Sequence, residues 1–284
     1  MEQTYTIDNI EAFEPVHIFE CGQCFRWNKQ ADGSYIGVFG NNVMQVIKEK
    51  NKITFIGNCE GNIKEICTEY FDLNRDYNKI KTEISKIDKY LENSVQYGNG
   101  IRILHQDLWE TLISFIISAN NNIPRIKTII ERLSKAYGTK IDFQGKEYYT
   151  FPTPKELSKL SIQDFRNLGL GFRDVRVYET TQKVLRKEID LSQLLKEENT
   201  EVLREKLLEI PGVGPKVADC IMLFGMQKFN VFPVDVWVKR VISELYFEGE
   251  EQKPKTIEKF AKEKYGNLAG LAQQYLFYWR RDTA

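Results

Sequence analysis

The 284-residue chain has no excess of either charge, with 40 Lys+Arg against 40 Asp+Glu. That excludes a polybasic protein that grips an anionic polymer through bulk charge, because such binders carry a broad basic footprint. Long apolar runs are also missing. No stretch approaches the roughly 18 uncharged apolar residues a membrane span needs, and no secretion-type apolar segment follows Met1. A soluble protein with no membrane contact is expected, cytoplasmic if the source is bacterial or archaeal. Histidine is scarce, at His17 and His105, and the cysteines are Cys21, Cys24, Cys59, Cys67 and Cys220. Cys21 and Cys24 form one CxxC pair with no second pair to complete a zinc site, so no metal is expected and small buried thiols on a strand are the reading. An odd count without a secretory signal fits a reducing compartment rather than a disulfide framework. Internal repeats and low-complexity linkers are absent as well.

What is present is ordinary globular composition, 42% hydrophobic and 28% charged, at a length that predicts roughly two domains. The charge is unevenly spread: residues 1–100 sum to −4 and the remainder to +4, which marks the later part as the side to meet an anion. Ser34–Phe39, Val43–Lys48 and Lys52–Ile56 are β-rich runs separated by Gly40-Asn41-Asn42 and Glu49-Lys50-Asn51, with Asp32-Gly33 as a further turn signal. They predict a locally connected antiparallel sheet. From about residue 105 the period becomes helical and is expected to stay so. Helices are predicted over Asp107–Ala119, Pro124–Tyr137, Arg173–Arg186, Thr200–Glu209, Pro215–Met226, Asp235–Tyr246, Lys255–Tyr265 and Leu268–Arg281, with two short ones opening at Thr153-Pro154 and Ser161.

The most informative segment is Ile210-Pro211-Gly212-Val213-Gly214-Pro215-Lys216. One helix ends there, a tight turn carries Gly212 and Gly214, and the next helix begins at Pro215. Such a turn presents unpaired N–H groups at a helix start, which is a phosphate-binding arrangement, although PGVG alone also fits a plain helical corner. Lys216 falls in the first turn of the second helix, where the dipole disfavours an ammonium and favours a free, nucleophilic amine. A surface lysine contacting phosphate is the commoner alternative. Asp235 follows 19 residues later, in Pro233-Val234-Asp235, ahead of an amphipathic helix bearing Val238, Val241, Ile242 and Leu245. As an N-cap it stays ionised, and a fixed carboxylate paired with a hairpin lysine is a specific combination.

Together these segments resemble the helix-hairpin-helix/Gly-Pro-Asp superfamily of DNA glycosylases, and within it the 8-oxoguanine DNA glycosylase/AP lyase family. Cys21-Gly22-Gln23-Cys24-Phe25-Arg26-Trp27 is similar to that family's GQxFRW signature, and Ser118-Ala119-Asn120-Asn121-Asn122-Ile123-Pro124-Arg125 to its asparagine-triplet loop. Gly169-Leu170-Gly171-Phe172-Arg173 and Ala269-Gly270-Leu271-Ala272-Gln273 match two further segments, so the resemblance extends from about residue 21 to 277. It implies an α+β fold: an N-terminal antiparallel β-sheet domain (1–98), a helical domain containing the helix-hairpin-helix (99–229), and C-terminal helices (230–284) completing a cleft between two lobes. The implied activity is excision of 8-oxoguanine from duplex DNA through a lysine Schiff base, then strand cleavage by β-elimination, with no cofactor. The implied partner is double-stranded DNA containing oxidised guanine, met by a monomer associated with the nucleoid.

By the same resemblance Lys216 attacks C1′ of the flipped nucleotide and Asp235 stabilises the oxocarbenium-like charge. Base flipping is required because C1′ is inaccessible in the stack. Gly22 matches the residue whose carbonyl accepts from the N7–H that distinguishes the lesion from guanine. Cys220 and Phe277 match the residues that sandwich the base, and Gln273 the one that reads its Watson–Crick edge. Asn120, Arg125, Phe172 and Arg173 match residues that fill the vacated space and contact the opposite cytosine. Phe172 stands where a tyrosine is usual, Trp237 where eukaryotic members carry a phosphate-contacting histidine, and Leu271 where those members carry an aromatic. Pyrimidine and adenine glycosylases with a four-cysteine iron–sulfur cluster are disfavoured because no cysteine follows Cys220. Alkylbase glycosylases typically lack the lysine, and a non-enzymatic DNA-binding module has no use for the Lys216–Asp235 pair.

Overall fold

The computed structural model describes residues 2–283. Its first layer is a five-stranded sheet with every neighbour antiparallel, in the order β1-β5-β4-β3-β2. The strands are β1 (Glu2–Ile7), β2 (Trp27–Lys29), β3 (Tyr35–Phe39), β4 (Asn42–Glu49) and β5 (Lys52–Asn58), with α1 (Pro15–Phe19) between the first two. Phe39 pairs with Asn42 and Glu49 with Lys52, so two-residue loops set the registers. The inner face buries Met44, Val46, Ile53 and Phe55 against Phe13, Phe19, Trp27 and Phe71. Trp27 lies flat across β3: a Cβ at Gly37 would sit 2.3 Å from the indole ring, so only glycine permits the approach.

Three helices then follow inside the first 98 residues: α2 (Ile63–Tyr70), α3 (Tyr77–Ser85) and α4 (Lys89–Tyr97). Asn62, Asp76 and Asp88 cap them, each accepting from backbone N–H groups of the first turn. Tyr77, Ile84, Leu91 and Val95 join the helical core rather than the sheet core, and α4 packs on the last helix of the chain.

The body centres on α5 (Leu108–Ser118) and α12 (Pro215–Met226), both buried almost all round, as a central helix should be. Phe115 and Phe224 stack between them at 5.5 Å. Around this pair run α6 (Ile123–Tyr137), α7 (Pro154–Leu157), α8 (Ile162–Asn167), α9 (Asp174–Leu185), α10 (Leu191–Lys196) and α11 (Thr200–Leu208). The chain ends with α13 (Val236–Tyr246), α14 (Pro254–Tyr265) and α15 (Ala269–Thr283). Among the described residues no helix is long and apolar enough to cross a membrane.

The expectation of uninterrupted helix after residue 105 is corrected by a β-hairpin, β6 (Lys140–Phe143) and β7 (Lys146–Tyr149). Its turn places Gln144 and Gly145 at φ 49° and 72°, the left-handed pair a tight hairpin needs. Phe143 seals the outer face of the sheet with Ile36, Val38 and Val43, so the hairpin forms because the sheet's second face must be covered.

Cys21 and Cys24, expected on a strand, are buried instead in the irregular turn between α1 and β2. The segment from Gln23 to Trp27 fastens sheet to body. Gln23 is fully buried: its amide NH₂ donates to the carbonyls of Ile18 (2.8 Å) and Arg102 (2.7 Å), and its Oε1 accepts from the Leu104 N–H (2.9 Å). Arg26, also buried, donates to Glu131 (3.2 Å) on α6 and to the Tyr149 carbonyl. The Trp27 indole N–H donates to the Tyr70 hydroxyl at 3.0 Å.

Candidate active site

Helix α11 ends at Leu208, the chain turns through Gly212, and α12 starts at Pro215. Gly212 takes φ +85°, and a Cβ there would lie 2.7 Å from the Arg176 side chain, so both backbone and space demand glycine. Gly214, the N-cap of α12, makes no side-chain cap and faces open space, leaving the first-turn N–H groups free for an anion.

In the first turn of α12, the Lys216 ammonium lies 5.5 Å from the Phe115 ring centroid, and among the described residues it forms no ion pair. Asp235 reaches the same place from another direction. Extended backbone (φ −95°, ψ −178°) brings the chain in, and its Oδ1 accepts from the Val238 N–H at 2.7 Å as the N-cap of α13. Lys216 and Asp235 then line a single narrow cleft with Gly22, Cys220, Gln273 and Phe277, whose water-accessible volume is about 50 Å³. The remaining walls are Cys21, Phe115, Phe224, Pro233 and Gln274. Six residues drawn from four separate stretches of sequence thus meet around one hollow.

Each wall has a distinct local cause. Gly22 sits at φ +85°, with Phe277 Cε1 3.5 Å from where its Cβ would be, so the ring closes over the glycine. Gln274 donates to the Cys21 carbonyl at 3.2 Å and ties this bend to α15. Gln273, on the same helix, is buried with its Oε1 lacking any hydrogen-bond partner. An orphaned buried acceptor costs free energy, and it is relieved when something that donates enters the cleft. Burial pushes the Cys220 thiol up to about 11, against the pull of the Lys216 ammonium, so Cys220 is a neutral wall.

The asparagine loop and the 169–173 segment meet on a neighbouring rim. Asn120 is exposed with φ 51°, and Asn122 caps α6 by accepting from the Arg125 N–H at 3.0 Å. Arg125 is exposed, one guanidinium N–H donating to the Gly169 carbonyl at 3.4 Å. Phe172 projects with 55% of its surface exposed. Arg173 is buried instead: it donates to the carbonyls of Ala119 (2.8 and 2.6 Å), Asn120 (2.6 Å) and Leu170 (3.3 Å). Arg173 therefore holds the asparagine loop against the Phe172 segment, and its guanidinium lies 4.2 Å beneath the Phe172 ring.

Residues 6–112 match the family described as 8-oxoguanine DNA glycosylase, N-terminal domain, and residues 113–266 match the HhH-GPD superfamily base excision DNA repair protein. The chain belongs to the 8-oxoguanine DNA glycosylase family of this superfamily. It is 44% identical to the Clostridium acetobutylicum 8-oxoguanine glycosylase/lyase, whose structure holds duplex DNA with cytosine opposite 8-oxoguanine; the superposition covers 100% of this chain and 98% of that one at TM-score 0.94. It is 33% identical to a probable N-glycosylase/DNA lyase of Methanothermobacter thermautotrophicus, over 78% of this chain and 76% of the relative. It is 34% identical to the N-glycosylase/DNA lyase of Saccharomyces cerevisiae, over 81% of this chain and 67% of the relative.

Within this glycosylase family fold, the sequence gives no sign that Phe115, Phe224 and Gln274 contribute to the cleft. Phe115 reads as one more apolar position of α5, although it also faces Lys216. Gln274 lines the cleft beside its neighbour Gln273, but the packing of α15 ties its amide to the Cys21 carbonyl and leaves the Gln273 oxygen unpartnered.

Proposed function

We propose that this chain excises 8-oxoguanine from duplex DNA and then cleaves the abasic strand, with Lys216 as nucleophile. The convergence of Lys216 and Asp235 on the cleft that also contains Gly22, Gln273 and Phe277 carries the reading. At about 50 Å³ the free cleft admits little more than water, so a purine enters only as Phe277 swings off Gly22. The flipped base then lies between Phe277 and Cys220. Its N7–H donates to the Gly22 carbonyl, where undamaged guanine would place an opposing acceptor, and its Watson–Crick edge meets the unpartnered Gln273 amide oxygen.

The free amine of Lys216 attacks C1′ as the glycosidic bond breaks, and the departing base takes up a proton at nitrogen. The Asp235 carboxylate, held in place by the Val238 N–H at the start of α13, stabilises positive charge developing at C1′. Loss of an amine proton and opening of the sugar ring leave a Schiff base between Lys216 and C1′. Removal of a C2′ proton then expels the 3′ phosphate by β-elimination. Borohydride reduces the Schiff base to a stable amine and makes it visible. Incubation with duplex DNA carrying 8-oxoguanine opposite cytosine should give a covalent protein–DNA adduct that vanishes in Lys216→Gln while DNA binding survives. An adduct that persists in Lys216→Gln overturns the assignment.

A further inference from the structure

Arg176 has no place in the cleft or among the residues matched by resemblance, yet its surroundings are unusual. It lies on the first turn of α9, half-buried, and its Cβ, Cγ and Cδ carbons cross directly over Gly212 of the hairpin. Thr180, one turn later, donates its hydroxyl to the Pro211 carbonyl at 3.3 Å, so α9 is docked on the hairpin at two points. Beyond the hairpin the Arg176 guanidinium comes 5.2 Å from the Phe172 ring centroid, while Arg173 lies 4.2 Å from the same ring.

No ion pair neutralises this charge. Among the described residues neither Arg176 nor Glu179, the acid one turn further along its helix, forms an ion pair, and Asp174 is committed to Arg166 at 2.7 Å. Burial first, then the charges of Arg125 and Arg176, lower the Arg173 guanidinium from its ordinary value, so the three arginines lie close enough to repel one another. An unpaired Arg176 lying across the hairpin beside its free N–H groups fits an anion, and an arginine fork suits a phosphodiester in particular.

We infer that Arg176 grips a backbone phosphate between the hairpin and Phe172, so that hairpin and exposed ring engage the duplex as one unit. This rests on the reading of the chain as a DNA glycosylase. It also explains why Gly212 is needed beyond its backbone angle: any side chain there would lift the Arg176 stem off the hairpin.

The test is the salt dependence of duplex binding by Arg176→Met, which keeps an apolar stem over Gly212 and removes the charge. Each phosphate contact contributes ~0.9 to the slope of log K against log salt. Arg176→Met should lower the slope magnitude by about that much, weaken binding roughly tenfold near 0.1 M salt, and melt at the wild-type temperature. Arg176→Lys should restore the slope but not the quenching of a 2-aminopurine placed beside the lesion, because an ammonium does not hold the Phe172 ring flat. An unchanged slope in Arg176→Met, with the wild-type borohydride adduct still forming on the same duplex, overturns the inference and leaves the glycosylase reading standing. Absence of the wild-type adduct would instead strike that reading. If Arg176→Met lowers the melting temperature, Arg176→Gln, measured where it is fully folded, decides: a slope reduced by ~0.9 supports the grip, and a wild-type slope refutes it.

Discussion

Single residues divide into those whose chemistry was legible and those whose role appears only on folding. Lys216 and Asp235 were readable because a hairpin lysine and a capped aspartate carry local signatures, and folding added their convergence. Gln23 and Arg26 are the reverse: they sit in a signature resembling that of a catalytic family, but their hydrogen bonds join sheet to body. Asp219 was not singled out at all. It is 1% exposed, three residues after Lys216, with Oδ1 2.7 Å from Arg204 of α11, which also meets Glu258 at 3.5 Å. Burial pushes its carboxyl from 3.8 to about 7, against the pull of Arg204. Because the folded value lies above the unfolded one, the native state keeps this proton longer. The stability Asp219 contributes is complete below pH 3.8 and lost as pH rises to about 7. Each pH unit inside that window costs at most about 1.4 kcal/mol. Asp219→Asn should therefore narrow its stability gap to wild type, or overtake it, as pH rises from 4 towards 7. Denaturant midpoints of the two proteins that run parallel with pH would refute this.

At the level of elements, capped and periodic segments were the legible ones. Helix α12 spans Pro215–Met226 as expected, and the three expected strands appear as β3, β4 and β5 with ends shifted by at most two residues. Strand β1 escaped notice, being polar on its exposed face, while β2, only three residues long, falls within the stretch from Phe25 to Ile56 that reads as strands and precedes the Asp32-Gly33 turn signal. Helices α2 to α4 were missed because each is only eight or nine residues, with few buried positions, and is held by tertiary packing and an N-cap. The β6–β7 hairpin turns on Gln144-Gly145, lacking the Asn-Gly or Asp-Gly that announces such a turn. Its formation depends on Phe143 finding the sheet's outer face, a contact that local sequence does not encode. The stack of Trp27 on Phe19, with ring centroids 4.0 Å apart, makes β3 intolerant of any side chain at Gly37. Gly37→Ala should destabilise the protein by about 1–3 kcal/mol, the usual penalty of overpacking a filled core, and thermal unfolding reads it directly. A melting temperature equal to wild type would show that the indole can shift without cost.

For the whole molecule, the zero net charge and the proposed DNA partner are reconciled by how few groups face the duplex. The sheet and the body carry opposite excesses, −4 over residues 1–100 and +4 beyond. They are locked together by buried polar contacts at Gln23, Arg26 and Gln274, so the balanced sum belongs to one unit. The candidate DNA-facing groups are the hairpin N–H groups and the arginines 125 and 176, while Arg173 spends its guanidinium on backbone carbonyls. Neutral N–H donors hold a phosphate and release few counterions, so they add affinity with little salt dependence. Binding should therefore weaken less between 50 and 200 mM salt than the ~10³- to 10⁵-fold of proteins making six to ten cationic phosphate contacts. Specific affinity should come instead from the flipped base, so duplexes with and without 8-oxoguanine should show nearly parallel salt slopes and well-separated intercepts. Titrations by fluorescence anisotropy at several salt concentrations measure both. A slope as steep as −10 on the lesion duplex would mean that bulk charge holds the DNA, and the small-footprint account would fail.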